Sequence, residues 1–155
     1  MSQQTNGSGK LAVFLGAGAA PAVLIDTGPR PEKVRSLNLD GDADLDLAVA
    51  SGNSVQLFTN NSVNGIPTFV AAQSFTGGGA KVEDFAIADV DGDGVRDLVM
   101  VGVDGTSGWI AINRGSGALF EQFTSYFTYL SSDPRAVFAG DFYGDRVGNI
   151  SYLTT

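Results

Sequence analysis

Short apolar runs alternate with polar, glycine-rich segments along almost the whole chain after Lys10. The central runs, Phe85-Ala-Ile-Ala and Leu98-Val-Met-Val, are rich in β-branched residues and bounded by Gly or Asp, so they predict strands. Comparable runs begin at Val34, Leu47 and Ser54. No long segment carries apolar residues at helical spacing. The pattern therefore predicts an all-β chain of short strands joined by turns.

An acidic loop separates the two central strands. Loop 89–97 places carboxylates at its positions 1, 3, 5 and 9, which are Asp89, Asp91, Asp93 and Asp97. Calcium takes about 6–8 oxygen ligands, and a tight loop with alternating carboxylates can supply them. Gly92 and Gly94 permit the sharp turn, and Val95 at position 7 would offer its backbone carbonyl. The spacing predicts a calcium loop within a strand hairpin. The alternative is an Asp/Gly-rich turn that binds nothing.

Two further copies of this loop occur at a spacing of about 51 residues. The first copy, loop 38–46, carries oxygen-bearing side chains at its odd positions, namely Asn38, Asp40, Asp42, Asp44 and Asp46. The third copy, loop 141–149, is degenerate and keeps only Asp141, Asp145 and Asn149. Tyr143 replaces its position-3 carboxylate, and Arg146 adds a positive charge. We therefore expect about two calcium sites per chain, with the third loop keeping its hairpin and binding calcium poorly or not at all.

These repeats resemble the FG-GAP/VCBS (integrin-alpha-like) family of calcium-binding β-propeller repeats. The family signature is Asp-x-Asp-Gly-Asp-Gly-x-x-Asp-Leu, which the middle loop matches and the third departs from most. The strand pair ending in Asn113-Arg-Gly-Ser-Gly-Ala-Leu-Phe also resembles the family pattern. The resemblance covers most of the chain after Lys10. It implies that each repeat is a propeller blade, a small antiparallel sheet whose first two strands are joined by a calcium loop.

The order of the repeats predicts how the chain is organised. Residues 1–10 are polar and predict a flexible tail, and residues 11–155 form three blade repeats of about 51 residues. The chain starts with a late strand of a blade and stops after an early strand, so we expect the terminal strands to share a blade. Three blades fall below the usual range of about 4–8 in a closed propeller. We expect a homo-oligomer, favouring a dimer with six blades. The alternatives are neighbouring blades of a larger propeller and a non-closing stack.

Composition excludes several classes of function. The chain has no Cys and no His, which removes thiol chemistry, His-based triads, and zinc or haem sites built on those ligands. Its basic residues form no patch, so we expect no nucleic-acid partner. The apolar run from Leu11 is too short and too broken by Gly for a membrane span. The formal charge is −8, and two calcium ions would reduce it to −4.

The expected location is extracellular, secreted or at the cell surface, although no signal peptide is evident. The absence of Cys fits an extracellular protein that relies on calcium in place of disulfides. Extracellular calcium in the millimolar range suits open loops with dissociation constants of about 10⁻⁴–10⁻³ M.

Three functions are compatible with the sequence. The first is a calcium-stabilised propeller that binds proteins or carbohydrates, as in adhesion. Sugar faces stack on aromatic rings, so the candidate contacts are Trp109, Tyr126, Tyr129 and Tyr143. The alternative for these side chains is packing between blades. The second function is a structural, self-assembling unit in which calcium is a folding staple.

The third function is an enzyme, a calcium-dependent polysaccharide lyase or hydrolase. The acids outside the metal loops, which include Glu83, Asp84, Asp104 and Glu121, show no partner for acid–base catalysis in the sequence. We therefore expect no enzymatic activity and no catalytic residues.

Overall fold

The computed structural model describes residues 8–14, 16, 23–78, 81–105, 107–116 and 120–155, with residues 120–127 described by their backbone alone. This part of the chain is all-β, as predicted, and contains no helix. Its strands are β1 (Gly9–Val13), β2 (Val23–Gly28), β3 (Pro31–Leu37), β4 (Asp46–Ser51), β5 (Ser54–Asn60), β6 (Phe69–Thr76), β7 (Lys81–Ala88), β8 (Asp97–Asp104), β9 (Ser107–Gly115), β10 (Phe120–Leu130), β11 (Pro134–Gly140) and β12 (Asn149–Thr154). No helix in the described part is long and apolar enough to cross a membrane.

The strands form four antiparallel sheets in chain order. Two are four-stranded meanders, β3-β4-β5-β6 and β7-β8-β9-β10. Two are two-stranded, β1-β2 and β11-β12. Each acidic loop connects the first two strands of such a unit, β3 to β4, β7 to β8 and β11 to β12. The predicted strand–loop–strand arrangement is therefore present at all three loops.

The second strand of each four-stranded sheet is buried along all or most of its length. All residues of β4 are buried, and in β8 only the last two are not. A strand covered on both faces has no polar face, which is why Leu98-Val-Met-Val reads as a continuous apolar run. The main core lies between the two four-stranded sheets and includes Leu57, Phe85 and Trp109.

Trp109 lies inside this core and is fully buried. Its indole ring packs against Gly102 and Gly77, where a Cβ atom would lie 2.4 Å and 2.3 Å from ring carbons. The ring fills space that only a glycine backbone leaves open. The prediction that Trp109 contacts a ligand is therefore wrong for this structure, and its aromatic ring has a packing role.

A buried carboxylate connects three of the sheets. Asp84 of β7 receives a hydrogen bond from the Arg35 guanidinium of β3 at 3.0 Å and one from the Val137 N–H of β11 at 3.1 Å. Arg35 also donates to the carbonyl oxygen of Phe85 and lies 5.3 Å from the centre of its ring. The first strands of three successive units are thus joined at one side chain.

The first strand begins earlier than the sequence predicted. Gly9 and Lys10 were expected to lie in a flexible tail, but both belong to β1. The Lys10 ammonium pairs with the Asp26 carboxylate of β2 at 2.6 Å, and the Gly9 carbonyl accepts a hydrogen bond from the Thr27 hydroxyl. These cross-strand contacts order polar residues that show no apolar pattern. Residues 1–7 of the predicted tail lie outside the described residues.

Candidate metal centre

Loop 89–97 is shaped by hydrogen bonds to its own first side chain. One carboxylate oxygen of Asp89 accepts from the Gly92 N–H at 2.7 Å, and the other accepts from the Gly94 N–H at 2.8 Å. Both glycines have positive φ, +82° and +86°, a conformation that costs glycine little. The chain therefore wraps around the Asp89 carboxylate, as the sequence pattern predicted.

Three carboxylates converge inside this loop. One oxygen each from Asp89, Asp91 and Asp97 lies within 4.8 Å of the other two. Two oxygens that ligate one calcium ion at about 2.3–2.6 Å can be separated by up to about 4.6–5.2 Å. The donor set therefore fits a hard divalent cation, and no other group of three acidic side chains in the described part of the chain comes this close together.

Asp97 is fully buried and also holds the loop to the sheet. Its Oδ2 accepts from the Val90 N–H at 2.8 Å, and its Oδ1 accepts from the Gly115 N–H at the end of β9 at 2.9 Å. An ionised carboxylate has about four lone-pair sites, so these two bonds leave it able to face a cation. Its structural role was not predicted from the sequence.

The other predicted ligands of this loop lie outside the three-carboxylate group. Asp93 is exposed, and its carboxylate accepts from the Val95 N–H at 2.7 Å. The side chain of Val95 packs against Gly115, where a Cβ atom would lie 2.5 Å from its Cγ1. Arg114, which the sequence reasoning missed, pairs with Asp91 at 3.2 Å and places a positive charge beside the group.

Loop 38–46 differs because its first residue is an amide. Asn38 Oδ1 accepts from the Gly41 N–H at 2.7 Å, but its Nδ2 can only donate and is bonded to the Asp42 carbonyl. In loop 89–97, the second oxygen of Asp89 binds the position-6 N–H instead. Ala43 at position 6 of loop 38–46 lacks the positive φ of Gly94. The two loops therefore differ at position 6, although the position-7 N–H donates to the position-5 carboxylate in both.

The remaining side chains of loop 38–46 do not form a comparable acidic group. The Asp42 N–H donates to Asp40, and the Asp44 N–H donates to Asp42. Asp46 is fully buried and accepts from the Leu39 and Asn60 N–H groups, as Asp97 does in the next repeat. A first calcium site at Asn38, Asp40, Asp42, Asp44 and Asp46 stays a prediction from the sequence.

Loop 141–149 is held together without a converging set of carboxylates. Asp141 accepts from the backbone N–H groups of residues 143 to 146 at 2.6–3.2 Å. These bonds, chiefly that from Arg146, lower the pKa of Asp141. Asp145 accepts from the Val147 N–H, and Asn149 accepts from the Phe142 N–H. The hairpin is kept, as predicted, and Arg146 occupies position 6 with a positive φ of 70°.

Successive loops are connected to one another through their eighth position. The Arg96 guanidinium donates to the carbonyl oxygen of Asn38, and the Gly148 N–H donates to that of Asp89. Neither residue was expected from the sequence to have a role. The sequence contained one signal for the close contact at Gly148, because position 8 is a glycine in the third loop and a larger residue in the other two loops.

The remaining aromatic candidates lie in different environments. Tyr143, in the third loop, is 83% exposed, and Tyr129, in β10, is 62% exposed. The backbone of Tyr126 lies opposite Ile112 in the sheet, and its side chain is outside the described residues. Two of the four predicted aromatic contacts are therefore accessible from solvent.

Comparison with known proteins gives one family match. A family model described as FG-GAP-like repeat matches residues 38–100 and 89–148. The two matches overlap over residues 89–100, which include loop 89–97, and together they span more than half of the chain. No curated protein and no solved structure matches the chain.

Proposed function

Since this chain belongs to the family of FG-GAP-like repeat proteins, we propose that it is a calcium-stabilised binding module with its principal metal site in loop 89–97. Repeats of this family indicate a β-propeller-like binding module and are typically non-enzymatic. The observation that carries the calcium assignment is the convergence of Asp89, Asp91 and Asp97 to within 4.8 Å.

Calcium would act as a cross-link within the loop. Asp89, Asp91 and Asp97 would hold it, and Asp97 would connect it to the backbone at Val90 and Gly115. A cation that binds only the folded state raises stability by about 2.7 kcal/mol at a concentration 100 times its dissociation constant. Asp91 is exposed, which favours a moderate affinity and a calcium-rich environment, and this supports our proposal that the protein acts outside the cell.

The decisive experiment is calorimetric titration of EDTA-stripped protein with calcium, with the melting temperature followed in parallel. We expect saturable binding and a rise in melting temperature. Asp91→Asn should lose the strongest site while keeping the fold. The matched control is Asp104→Asn, a change at the exposed last residue of β8, which should bind calcium like the unmodified chain. Absence of binding at millimolar calcium would refute the metal assignment.

The recognised partner in this proposal is a carbohydrate or protein surface, as in adhesion. The observation that favours it is the exposure of Tyr143 and Tyr129, since exposed aromatic rings offer a stacking face to sugars. Glycan-array binding that falls on Tyr143→Ala and survives Val63→Ala, a change at an exposed residue in the β5–β6 connection, would support this. Equal loss in both variants would argue against it.

The second candidate is a structural unit whose calcium only reinforces the fold. The bonds from Arg96 to Asn38 and from Gly148 to Asp89 favour it, because they use the loops to join neighbouring sheets. Calcium-dependent stabilisation with no glycan or protein ligand would favour this candidate over recognition.

A further inference from the structure

The β1–β2 sheet corresponds to the last two strands of a four-stranded sheet. In β1–β2, Leu11 lies opposite Ile25. The corresponding pair in β5–β6 is Val55, which lies opposite Phe75. Ile25 and Phe75 are both buried, and each strand pair leads into the first strand of the next sheet. In the described part of the chain, β1 pairs only with β2.

The β11–β12 sheet corresponds to the first two strands. Ala139 lies opposite Ile150 across loop 141–149. The corresponding pair across loop 89–97 is Ile87, which lies opposite Leu98. Among the described residues, β12 pairs only with β11. The two short sheets thus contain complementary halves of one four-stranded unit.

Apolar side chains that complete sheets bury are exposed in these half sheets. Leu153, four residues after position 9 of its loop, is 69% exposed. Its counterparts Ala50 and Val101 are 1% and 0% exposed. Phe14 is 74% exposed, whereas its counterpart Phe58, three residues after Val55, is 3% exposed. The sequence is apolar where a further sheet half would cover it.

We propose that β12 of one copy of this chain pairs antiparallel with β1 of a second copy and completes the sheet β11-β12-β1-β2. The register follows that of β4–β5, in which Leu47 lies opposite Phe58 and Ala50 opposite Val55. Leu153 then faces Leu11 of the second copy, and Ile150 faces its Phe14.

Charged side chains beside the first strands pair between neighbouring sheets. Glu32, Glu83 and Arg135 stand at the register irregularities of β3, β7 and β11. Neighbouring positions pair with opposite charge: Lys81 contacts Glu32 at 2.8 Å, and Arg135 contacts Glu83 at 3.5 Å. The sheet that follows β11 in the assembly would present Glu32 of the second copy. Arg135 would stand near Glu32 of the second copy, as it does near Glu83, and near Arg30, the counterpart of Lys81, so these charges neither favour nor oppose the pairing.

In the proposed assembly, two copies of the residues described would form a closed ring. Each copy contributes two complete sheets and the two halves of a third, so a pair has six sheets. Closed propellers have about 4–8 blades, and three copies would exceed that range. With two-fold symmetry both β12–β1 joints form at once, and no β12 or β1 edge is left open.

Engineered cysteines test the register directly, because the chain contains none of its own. The model for the Leu153–Leu11 contact is the pair Ala50 and Val55, one residue pair away from those that flank the two-residue turn at Gly52 and Asn53. This is a non-hydrogen-bonded pair, in which the facing side chains come closest. Leu11→Cys with Leu153→Cys should therefore form disulfides between copies. In the control, Ala12→Cys with Leu153→Cys, the two side chains lie on opposite sheet faces.

On a denaturing gel we expect the first double variant, oxidised in calcium buffer, to run as a reducible covalent dimer of twice the 16.0 kDa chain mass. The control should run there as a single chain, because its cysteines are not cross-linked. A ladder of larger species would overturn the closed pair. A cross-link within one chain, or none in either variant, would overturn the pairing altogether.

The unmodified protein gives an independent test by analytical ultracentrifugation. We expect a dimer, and Leu153→Lys should weaken its association by more than about tenfold, because a charge would be buried in the joint. Val63→Lys, a change at an equally exposed residue in the β5–β6 connection, should leave it unchanged. A monomeric parent, or equal effects of both variants, would overturn the proposal.

Discussion

The backbone N–H of Gly148 donates a hydrogen bond to the carbonyl oxygen of Asp89 at 2.7 Å. Position 8 of the third loop is thereby fastened to position 1 of the second. The same two positions meet one repeat earlier, where the Arg96 side chain reaches the carbonyl of Asn38 at 3.2 Å. A backbone donor needs a much closer approach than a long side chain does, and only glycine leaves room for it.

Gly148→Ala should destabilise the fold even without calcium. A Cβ atom would lie 2.2 Å from the carbonyl oxygen of Asp89, so the loops must separate and their hydrogen bond must lengthen or break. We expect a loss of about 1–3 kcal/mol in the free energy of unfolding, measured by urea denaturation in EDTA.

Gly140→Ala is the control for this substitution. Its Cβ atom would meet a ring carbon of Phe138 at 3.2 Å, and that exposed ring is free to move aside. We expect a change within about 0.5 kcal/mol. Equal costs for the two variants would show that the contact with Asp89 has no special importance.

Asp97→Asn and Asp91→Asn should separate structural and metal roles. The amide at position 97 would lose one acceptor for the Val90 or Gly115 N–H, so we expect a loss of about 1–3 kcal/mol in EDTA. Asp91 pairs with the half-exposed Arg114, and an amide oxygen could still accept its hydrogen bond from the Asp93 N–H, so its variant should change stability in EDTA by at most about 1 kcal/mol. Asp91→Asn should lose the calcium-induced rise in melting temperature. If both variants behave alike in EDTA, the structural role of Asp97 is disproved.

Asn38→Asp combined with Ala43→Gly should give loop 38–46 the path of loop 89–97. The new carboxylate could accept the N–H of position 6, and glycine there permits the positive φ that Ala43 does not adopt. Calorimetry should show that the first loop binds calcium about tenfold or more tightly, because it gains a charged ligand. Ala43→Gly alone is the control and should leave the affinity nearly unchanged. Equal titrations of both would show that position 1 does not decide the path.

Asp141→Asn should change the pH dependence of stability. Hydrogen bonds from the loop backbone, chiefly from Arg146, lower the pKa of Asp141 below the usual 3.8, so the ionised carboxylate favours the folded state. That contribution is present above pH 3.8 and is lost as the pH falls through the lowered pKa. The variant should therefore melt below the parent at pH 7 in EDTA, and the gap should narrow in acid. Asp145→Asn, whose amide oxygen can still accept the single hydrogen bond from the Val147 N–H, should give a smaller gap. A gap independent of pH would contradict the prediction.

Arg35→Met should be costly because it leaves the buried carboxylate of Asp84 with one remaining donor, the Val137 N–H. We expect a loss of about 2–4 kcal/mol, somewhat below the range for fully buried pairs because Arg35 is half-exposed. Lys10→Met breaks the exposed pair with Asp26 and should cost at most about 1 kcal/mol. Urea unfolding at one protein concentration compares the two variants, and similar losses would contradict the prediction.

The strands and loops could be predicted because their signals are local. A β-branched run beside an Asp/Gly-rich turn specifies a hairpin through neighbouring residues alone, as at Ile87 and Leu98. The convergence of Asp89, Asp91 and Asp97 follows from spacing within nine residues in the same way. Family membership was confirmed on the same residues.

The remaining features depend on contacts between distant residues. An aromatic residue in a strand has the same local pattern whether it faces the core or a ligand, so Trp109 could not be assigned. The pair Arg35 and Asp84 is 49 residues apart in sequence, and neither has a local motif. Gly9 and Lys10 likewise belong to a strand because they pair with β2. Residues 14–22 separate β1 from β2 in the sequence, and their pattern of polar and apolar residues does not reveal that pairing.

The carboxylate of Asp84 has a consequence for how such a chain can evolve. The same register position, opposite Val101 in β8, is occupied by Lys33 opposite Ala50 in the first sheet and by Ala136 opposite Leu153 in the last. A duplication or exchange of whole repeats would leave Arg35 facing a cation or a methyl group. The repeats have therefore ceased to be interchangeable modules, and recombination between them is restricted by a single side chain.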